Sequence, residues 1–227
     1  MKNLQKVAGI SAISEALIYI VAFIYFGAFW SYPHAGNPTE KMSYLAENHF
    51  VFSSMVFLMY VVFGVFLAVL VVGLHERLKH MNNPAITLGS LFGVIWVGLV
   101  IASGMISNAG LAYAIGVMES SPEKALDVWV IISLLTESIG GGNELVGGLW
   151  VLIVSVVALQ AWEFSRLLNY LGLIVGAAGI ATIYPDDIFT EIFGVTQIVW
   201  FIWLGVLLLR QESPNKPRHP NANTSSY

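Results

Sequence analysis

The sequence has no cysteine and very little charge. Of its 227 residues, 11% are Asp, Glu, Lys or Arg and 57% are apolar types. A soluble globular domain carries about a quarter charged residues, so this chain has too few to coat a surface that faces water. The missing thiols exclude thiol–disulfide chemistry. The low charge excludes an ordinary soluble enzyme and a disordered chain, and the lack of a basic face excludes a nucleic-acid partner. What remains is a polytopic membrane protein.

Residue types that are missing from the apolar segments also argue against several cofactors. No lysine lies inside an apolar segment, so a retinal Schiff base is not predicted. Only one histidine, His49, lies even at the edge of such a segment, which argues against haem held by two histidines and against a zinc hydrolase with several histidines. Gly140, Gly141 and Gly142 lack the lysine and the strand–helix context of a phosphate-binding loop. The identity of any cofactor stays open.

Long apolar runs predict six membrane crossings. A helix needs about 20 apolar residues to cross a hydrocarbon core of about 30 Å. The runs are 8–30, 51–73, 86–108, 144–161, 167–184 and 188–210. Segment 123–138 is separated from the fourth run by three glycines and is predicted to be an extra interfacial or re-entrant helix. The fold prediction is therefore an all-α, six-helix transmembrane bundle over 1–210, followed by a disordered cytoplasmic tail at 211–227.

Basic residues predict which way the bundle faces. With six crossings, eight of the ten Lys and Arg residues fall on the side that holds both termini, and two, Lys41 and Lys124, fall on the other. Basic flanks are typical of the cytoplasmic side. We therefore expect both termini in the cytoplasm of a prokaryote, with the protein in its inner membrane.

Small residues indicate which helices pack closely. The third run contains Gly89-x3-Gly93, the fifth contains Gly172-x3-Gly176, and the fourth contains Gly147 and Gly148. Small residues let helix backbones approach in lipid, where burial alone drives little association. These three runs are predicted to form the packed centre, and their small faces are also compatible with a homo-oligomer.

Two polar side chains fall inside predicted crossings. Glu15 lies about two turns into the first run, and Gln197 lies near mid-depth in the last. Ionisable groups in a bilayer are costly and are functional candidates by default. For Glu15, an inner proton or ion relay and a purely structural hydrogen bond between helices are equally good interpretations. For Gln197, interhelical hydrogen bonding is the simpler interpretation.

A second group of polar residues falls at the predicted outer ends of the helices. Its members are His49, Asn108, Glu137, Asn143, Glu144 and Asp187. If these ends converge, they form an acidic vestibule that binds a ligand or ion, and His49, Glu137 and Glu144 could together hold a metal. Helix capping explains many of the same residues, because Asn and Asp suit the N-cap and Glu suits the first turn. Glu137 and Glu144 are the strongest candidates.

Two patterns in the sequence resemble a known family. One is the set of glycines with Asn143 and Glu144 that precedes the fourth crossing, and the other is Arg166-x5-Gly172 at the start of the fifth. That family is the bacterial multi-pass membrane family labelled domain of unknown function 4386, and the resemblance covers about residues 5–210. It implies a six-helix inner-membrane protein and supplies no catalytic residues.

Three functions follow from these observations. The first is transport or conduction of a small solute or cation, with Glu137, Glu144 and Asp187 at the outer face and Glu15 as an inner relay. The second is a membrane-embedded enzyme that uses His49, Glu137 and Glu144 on a metal or a lipid headgroup. The third is a non-catalytic sensor or assembly subunit. No catalytic constellation is recognised, so an enzyme is the less favoured reading. The predicted partners are the lipid bilayer, a second copy of the chain and a small solute or cation.

Overall fold

The computed structural model describes residues 2–81, 83–141, 144–184 and 186–210, with the side chains of Lys2, Gly141 and Asp187 left aside. Within these ranges the chain is helical and has no strand, which confirms the all-α prediction. The helices are α1 (Lys2–Ile24), α2 (Pro38–Glu47), α3 (His49–Val56), α4 (Phe63–Leu78), α5 (Pro84–Met118), α6 (Pro122–Thr136), α7 (Leu145–Gln160), α8 (Arg166–Ala181) and α9 (Asp187–Arg210). Short π or 3-10 segments adjoin them at Tyr25–Phe29, Phe57–Val62, Lys79–Met81 and Glu137–Gly141. The predicted tail at 211–227 lies outside the described residues.

Length and composition make this an integral membrane protein. Five helical segments are long and apolar enough to cross a bilayer: Asn3–Phe29, His49–Met81, Pro84–Met118, Pro122–Gln160 and Ile188–Arg210. The shorter apolar helix α8 completes six passes through the bundle. Large apolar side chains also face outward, with Phe50 82% exposed and Phe29 70% exposed. Lipid tails, rather than water, are the solvent that such a surface requires.

Antiparallel packing places the two ends of the described chain at the same end of the bundle. A Cβ on Gly9 of α1 would lie 2.9 Å from Leu209 and 3.0 Å from the carbonyl of Gly205 in α9. We call this the proximal end. The distal end is the opposite one, where the loops at 30–37 and 119–121 and the residues 182–184 lie. The even number of passes agrees with the predicted topology, and the membrane side of each end stays a prediction.

Short capping motifs decide where several helices begin. The Asn37 side chain accepts a bond from the Glu40 amide, and the Glu40 carboxylate accepts one from the Asn37 amide, which forms a capping box. The side chains of Asn83 and Ser121 cap α5 and α6 by accepting one backbone bond each, from Ala85 and Lys124, and a proline directly follows each of the three caps. Helix α2 was not predicted from hydropathy, although the Asn37-Pro38-x-Glu40 pattern signals its start.

The fourth pass is interrupted in the middle. Helices α6 and α7 lie one after the other along α5, as shown by the contacts Gly110–Ile132, Ser103–Thr136, Leu99–Gly140, Trp96–Glu144 and Gly93–Trp150. Gly140 separates the two helices with φ 155°, a backbone conformation that a side chain would strain. The extra helix expected at 123–138 is therefore present as α6, packed against the distal half of α5.

A buried ion pair joins several elements at the proximal end. The Arg77 guanidinium donates to Glu163 at 2.9 and 3.0 Å and to Gln5 at 3.3 Å. It also lies 4.9 Å from the centre of the Phe164 ring. The Gln5 amide in turn donates to the Gly73 carbonyl at 3.0 Å. These contacts tie α1, α4 and the α7–α8 connection together.

Candidate functional site

The centre of the candidate site is the carboxyl group of Glu144. This residue directly precedes α7 and is 8% exposed. Its Oε2 accepts a hydrogen bond of 2.8 Å from the Trp96 indole N–H in α5. Its amide donates a bond of 2.8 Å to the Thr182 hydroxyl, which donates to the Gly179 carbonyl at 2.7 Å. The interruption after α6 thus leaves Glu144 inside the bundle, where α5 and the end of α8 fix its position.

Three adjoining cavities lie in the distal half of the bundle. Cavity A, of about 330 Å³, is lined by Tyr19, Ala22, Phe23, Phe26, Gly27, Met59, Glu144, Thr190, Glu191, Phe193 and Gly194. Cavity B, of about 60 Å³, is lined by Ile18, Tyr19, Ala22, Met59, Tyr60, Phe63, Val100, Gly140 and Glu144. Cavity C, of about 240 Å³, is lined by Phe26, Phe52, Val56, Met59, Tyr60, Ser107, Trp129, Ser133, Thr136 and Glu137. Met59 borders all three, and Glu144 borders A and B.

All the charged side chains among the described residues that line the three cavities are acidic. Glu144 and Glu191 line cavity A, and Glu137 lines cavity C, whereas no Lys, Arg or His is among the described lining residues. Low-dielectric walls strengthen the field of the carboxylates inside such cavities. The three cavities together therefore favour neutral or positively charged molecules over anions.

Cavity C is the most polar of the three. Ser107, Ser133 and Thr136 add hydroxyl groups beside Glu137. The Thr136 Oγ1 atom is buried and has no hydrogen-bond partner among the residues that the structure describes. An unpaired buried hydroxyl is costly, and a water or a polar ligand in the cavity would satisfy it.

Two predicted candidates lie inside the bundle without a described partner. Both carboxyl oxygens of Glu15 and both amide atoms of Gln197 are buried with no hydrogen-bond partner. Glu15 lies four residues before Tyr19, on the same face of α1 as the residues that line cavities A and B. It therefore stands one turn closer to the proximal end than those cavities. Gln197 lies four residues after Phe193 in α9, also on the side that faces the bundle.

His49 and Asn108 are not among the described lining residues of the cavities. His49 begins α3 and is half-buried. Asn108 donates a bond of 3.2 Å to the Ser53 carbonyl and so joins α5 to α3. Asp187 begins α9, but its side chain lies outside the described set, as does all of Asn143.

Within the part of the chain that the structure describes, no three His, Cys, Asp or Glu side chains are grouped so that they could hold a metal ion. His49, Glu137 and Glu144 therefore do not form one cluster there. The structure brings together Glu144 and Glu191 in one cavity wall and Glu137 in the next.

Several residues of the site were missed by sequence reasoning. Trp96, Tyr19, Tyr60 and Thr182 sit in apolar runs, where aromatic residues and threonine are common. One signal was available, because a Trp in the middle of a crossing has an N–H that needs an acceptor away from water. Trp96 lies near the middle of 86–108 and finds that acceptor in Glu144.

Comparison with known proteins adds no further assignment. No protein-family model, no curated protein and no solved structure matches the chain. The resemblance to domain of unknown function 4386 therefore stays a prediction.

Proposed function

We propose that this integral membrane protein transports a small solute or cation, which enters from the distal end through cavities A, B and C and binds at Glu144. The observation that carries the proposal is the buried Glu144 carboxyl in the wall of two cavities, where only Oε2 receives a hydrogen bond within the described chain. A carboxylate in such a setting is costly when it is unpaired. It is stabilised by holding either a proton or a positively charged ligand, so the proposal includes exchange of the two at Glu144, with a proton moving out as the cation moves in.

Glu15 supports a direction of movement through the bundle. It lies on the cavity face of α1, one turn beyond Tyr19 towards the proximal end, and its carboxyl oxygens have no hydrogen-bond partner within the described ranges. A proton or cation that leaves Glu144 towards the proximal end meets Glu15 as the next carboxyl along this face. Carboxyl groups at successive depths are typical of proton relays in transporters.

The proposal extends to location. Eight of ten basic residues flank the proximal end by the sequence count, so we place that end in the cytoplasm and the distal end outside. On this orientation, the solute enters from outside the cell. The family resemblance, with its bacterial inner membrane, agrees with this placement.

A vesicle assay tests the proposal. The purified full chain is reconstituted into liposomes that contain a pH-sensitive dye, and external Na⁺, K⁺ or an organic ammonium salt is added. We expect cation-dependent proton movement, reduced at least about tenfold in Glu144→Gln because the charge that holds the ligand is gone. Glu15→Gln should slow the movement as well.

The matched control is Glu119→Gln, an exposed carboxylate at the distal end that lines none of the three cavities. The rate of cation-dependent proton movement in this variant should equal that of the unmodified protein. Absence of cation-dependent proton movement in the unmodified protein, or equal rates for Glu144→Gln and Glu119→Gln, would refute the proposed function.

A further inference from the structure

Four of the eleven described residues that line cavity A are aromatic. Tyr19, Phe23 and Phe26 come from the first pass, and Phe193 comes from α9. Met59 adds a polarisable thioether from the second pass. Aromatic faces carry partial negative charge, so a group of them attracts a desolvated cation, most strongly a quaternary or tertiary ammonium.

The carboxylates of cavity A reinforce this preference. Glu144 is buried within the wall, and Glu191 is exposed. No basic side chain is among the described lining residues to neutralise either of them. A positively charged ligand gains from both carboxylates, whereas an anion is repelled by both.

The same wall is poorly suited to a bare metal ion. Hard cations need six or more oxygen ligands in place of their hydration shell. The oxygen-bearing side chains of the lining are only Tyr19, Glu144, Thr190 and Glu191, and the described residues contain no metal-holding group of three His, Cys, Asp or Glu. An organic cation needs no such shell, because its methyl or methylene groups pack directly on the rings.

The position and size of cavity A further restrict the class of ligand that it can bind. Cavity A lies between the end of α1 and the start of α9, and Phe23 in its wall is 44% exposed. Its volume of about 330 Å³ is at the small end of ligand pockets. A small ligand that packs against the aromatic rings of this wall and reaches Glu144 needs an apolar body as well as a charge.

From this geometry we infer that cavity A binds a small amphipathic organic cation, with its positive charge at Glu144 and its apolar body against Phe23, Phe26 and Phe193. The inference rests on the proposed function and names the class of solute. It also specifies a binding step that is measurable without any membrane.

Calorimetric titration of the detergent-purified full chain tests the inference with three probes of similar shape. Benzyltrimethylammonium carries one positive charge, neopentylbenzene is its neutral carbon analogue, and phenylmethanesulfonate carries one negative charge. We expect the cation to bind at least about tenfold more tightly than the neutral analogue, and no binding of the anion. Equal affinity for cation and neutral analogue would overturn the inference, as would no binding of the cation.

Variants locate the binding. Glu144→Gln keeps an oxygen for the Trp96 bond and removes the charge, so cation affinity should fall at least about tenfold. Glu191→Gln changes an exposed side chain, so it can be tested even if Glu144→Gln does not fold. We expect it to lower the cation affinity about two- to fivefold. Phe23→Leu should lower the affinity for the cation by a similar factor and leave the affinity for the neutral analogue unchanged. Glu119→Gln should bind like the unmodified chain, and unchanged cation affinity in all three cavity variants would overturn the assignment to cavity A.

The two proposals fail in different ways. Cation binding without movement in vesicles would leave the inference standing and remove the proposed transport. Movement of Na⁺ or K⁺ that depends on Glu144, with no binding of benzyltrimethylammonium, would leave the transport standing and remove the inference.

Discussion

Trp96 fixes the rotamer of the carboxyl group on which the candidate site depends. Its indole N–H is the described donor to Glu144 Oε2, at 2.8 Å, and both side chains are buried. A hydrogen bond to a charged or highly polar group contributes about 1.5–3 kcal/mol, and the loss of one partner leaves the other desolvated. Trp96 therefore holds the site together as well as filling the core.

Replacing Trp96 by Phe tests this role. The ring stays aromatic, but the donor is lost, so we expect the free energy of unfolding in detergent to fall by about 2–4 kcal/mol. Trp150→Phe is the matched control, because Trp150 is equally buried, contacts Trp96 at 5.8 Å between ring centres, and donates no side-chain hydrogen bond in the described chain. The control should lose only the packing part, about 1–2 kcal/mol. Equal losses would show that the hydrogen bond contributes nothing.

The residues of the site were predictable to different degrees. Glu137 and Glu144 stood out because a carboxylate beside an apolar run is rare. Tyr60 and Tyr19 did not, since nothing in a single sequence tells a tyrosine that lines a cavity from one that packs against lipid. That distinction depends on helix rotation, which neighbouring helices decide.

At the scale of helices, glycine sets how closely α7 and α8 approach. A Cβ on Gly148 would lie 2.8 Å from backbone atoms of Gly176, Gly179 and Ile180. The sequence predicted close packing through small residues of the third, fourth and fifth crossings, and α7 does lie against both α5 and α8. The α1–α9 crossing at Gly9 and Gly205 was missed, because neither glycine is followed or preceded by another at a spacing of four residues.

Gly148→Ala and Gly98→Ala should therefore have opposite effects. The first places a methyl group against backbone that cannot move aside, and we expect a loss of about 1–3 kcal/mol in unfolding free energy. The second adds a methyl group where nothing lies within 4 Å, and better helix propensity should stabilise the protein by up to about 1 kcal/mol. Denaturation in detergent measures both, and a neutral Gly148→Ala would contradict the packing described here.

For the molecule as a whole, the number of passes was predictable and the cavities were not. Six apolar runs, with prolines only in the segments outside them, can be recognised from the sequence. The cavities lie between helices that are distant in the sequence, and cavity A, for example, lies between the end of α1 and the start of α9. Their size depends on how helices of different lengths meet at the distal end. A second small core lies at the distal end, where α2 packs against the distal parts of α5 and α6 around Met42, Leu45 and Leu111. Hydropathy along the sequence does not predict this core.

The absence of cysteine makes the orientation directly measurable. Single variants Glu119→Cys at the distal end and Lys79→Cys at the proximal end each introduce one thiol into a chain that has none. A membrane-impermeant maleimide should label Glu119→Cys in intact bacteria and Lys79→Cys only after permeabilisation, as the distribution of basic residues predicts. Labelling of both from the same side would contradict the single crossing by α5 between residues 79 and 119.

The proximal ion pair has a consequence for any solute that reaches Glu15. Arg77, Glu163 and Gln5 join α1, α4 and the α7–α8 connection at the proximal end, on the far side of Glu15 from the three cavities. On the proposed route, a solute that passes Glu15 would meet this ion pair before it reached the proximal side. Loss of one partner from a buried ion pair costs about 3–5 kcal/mol, so the same pair also holds the proximal ends of these helices together.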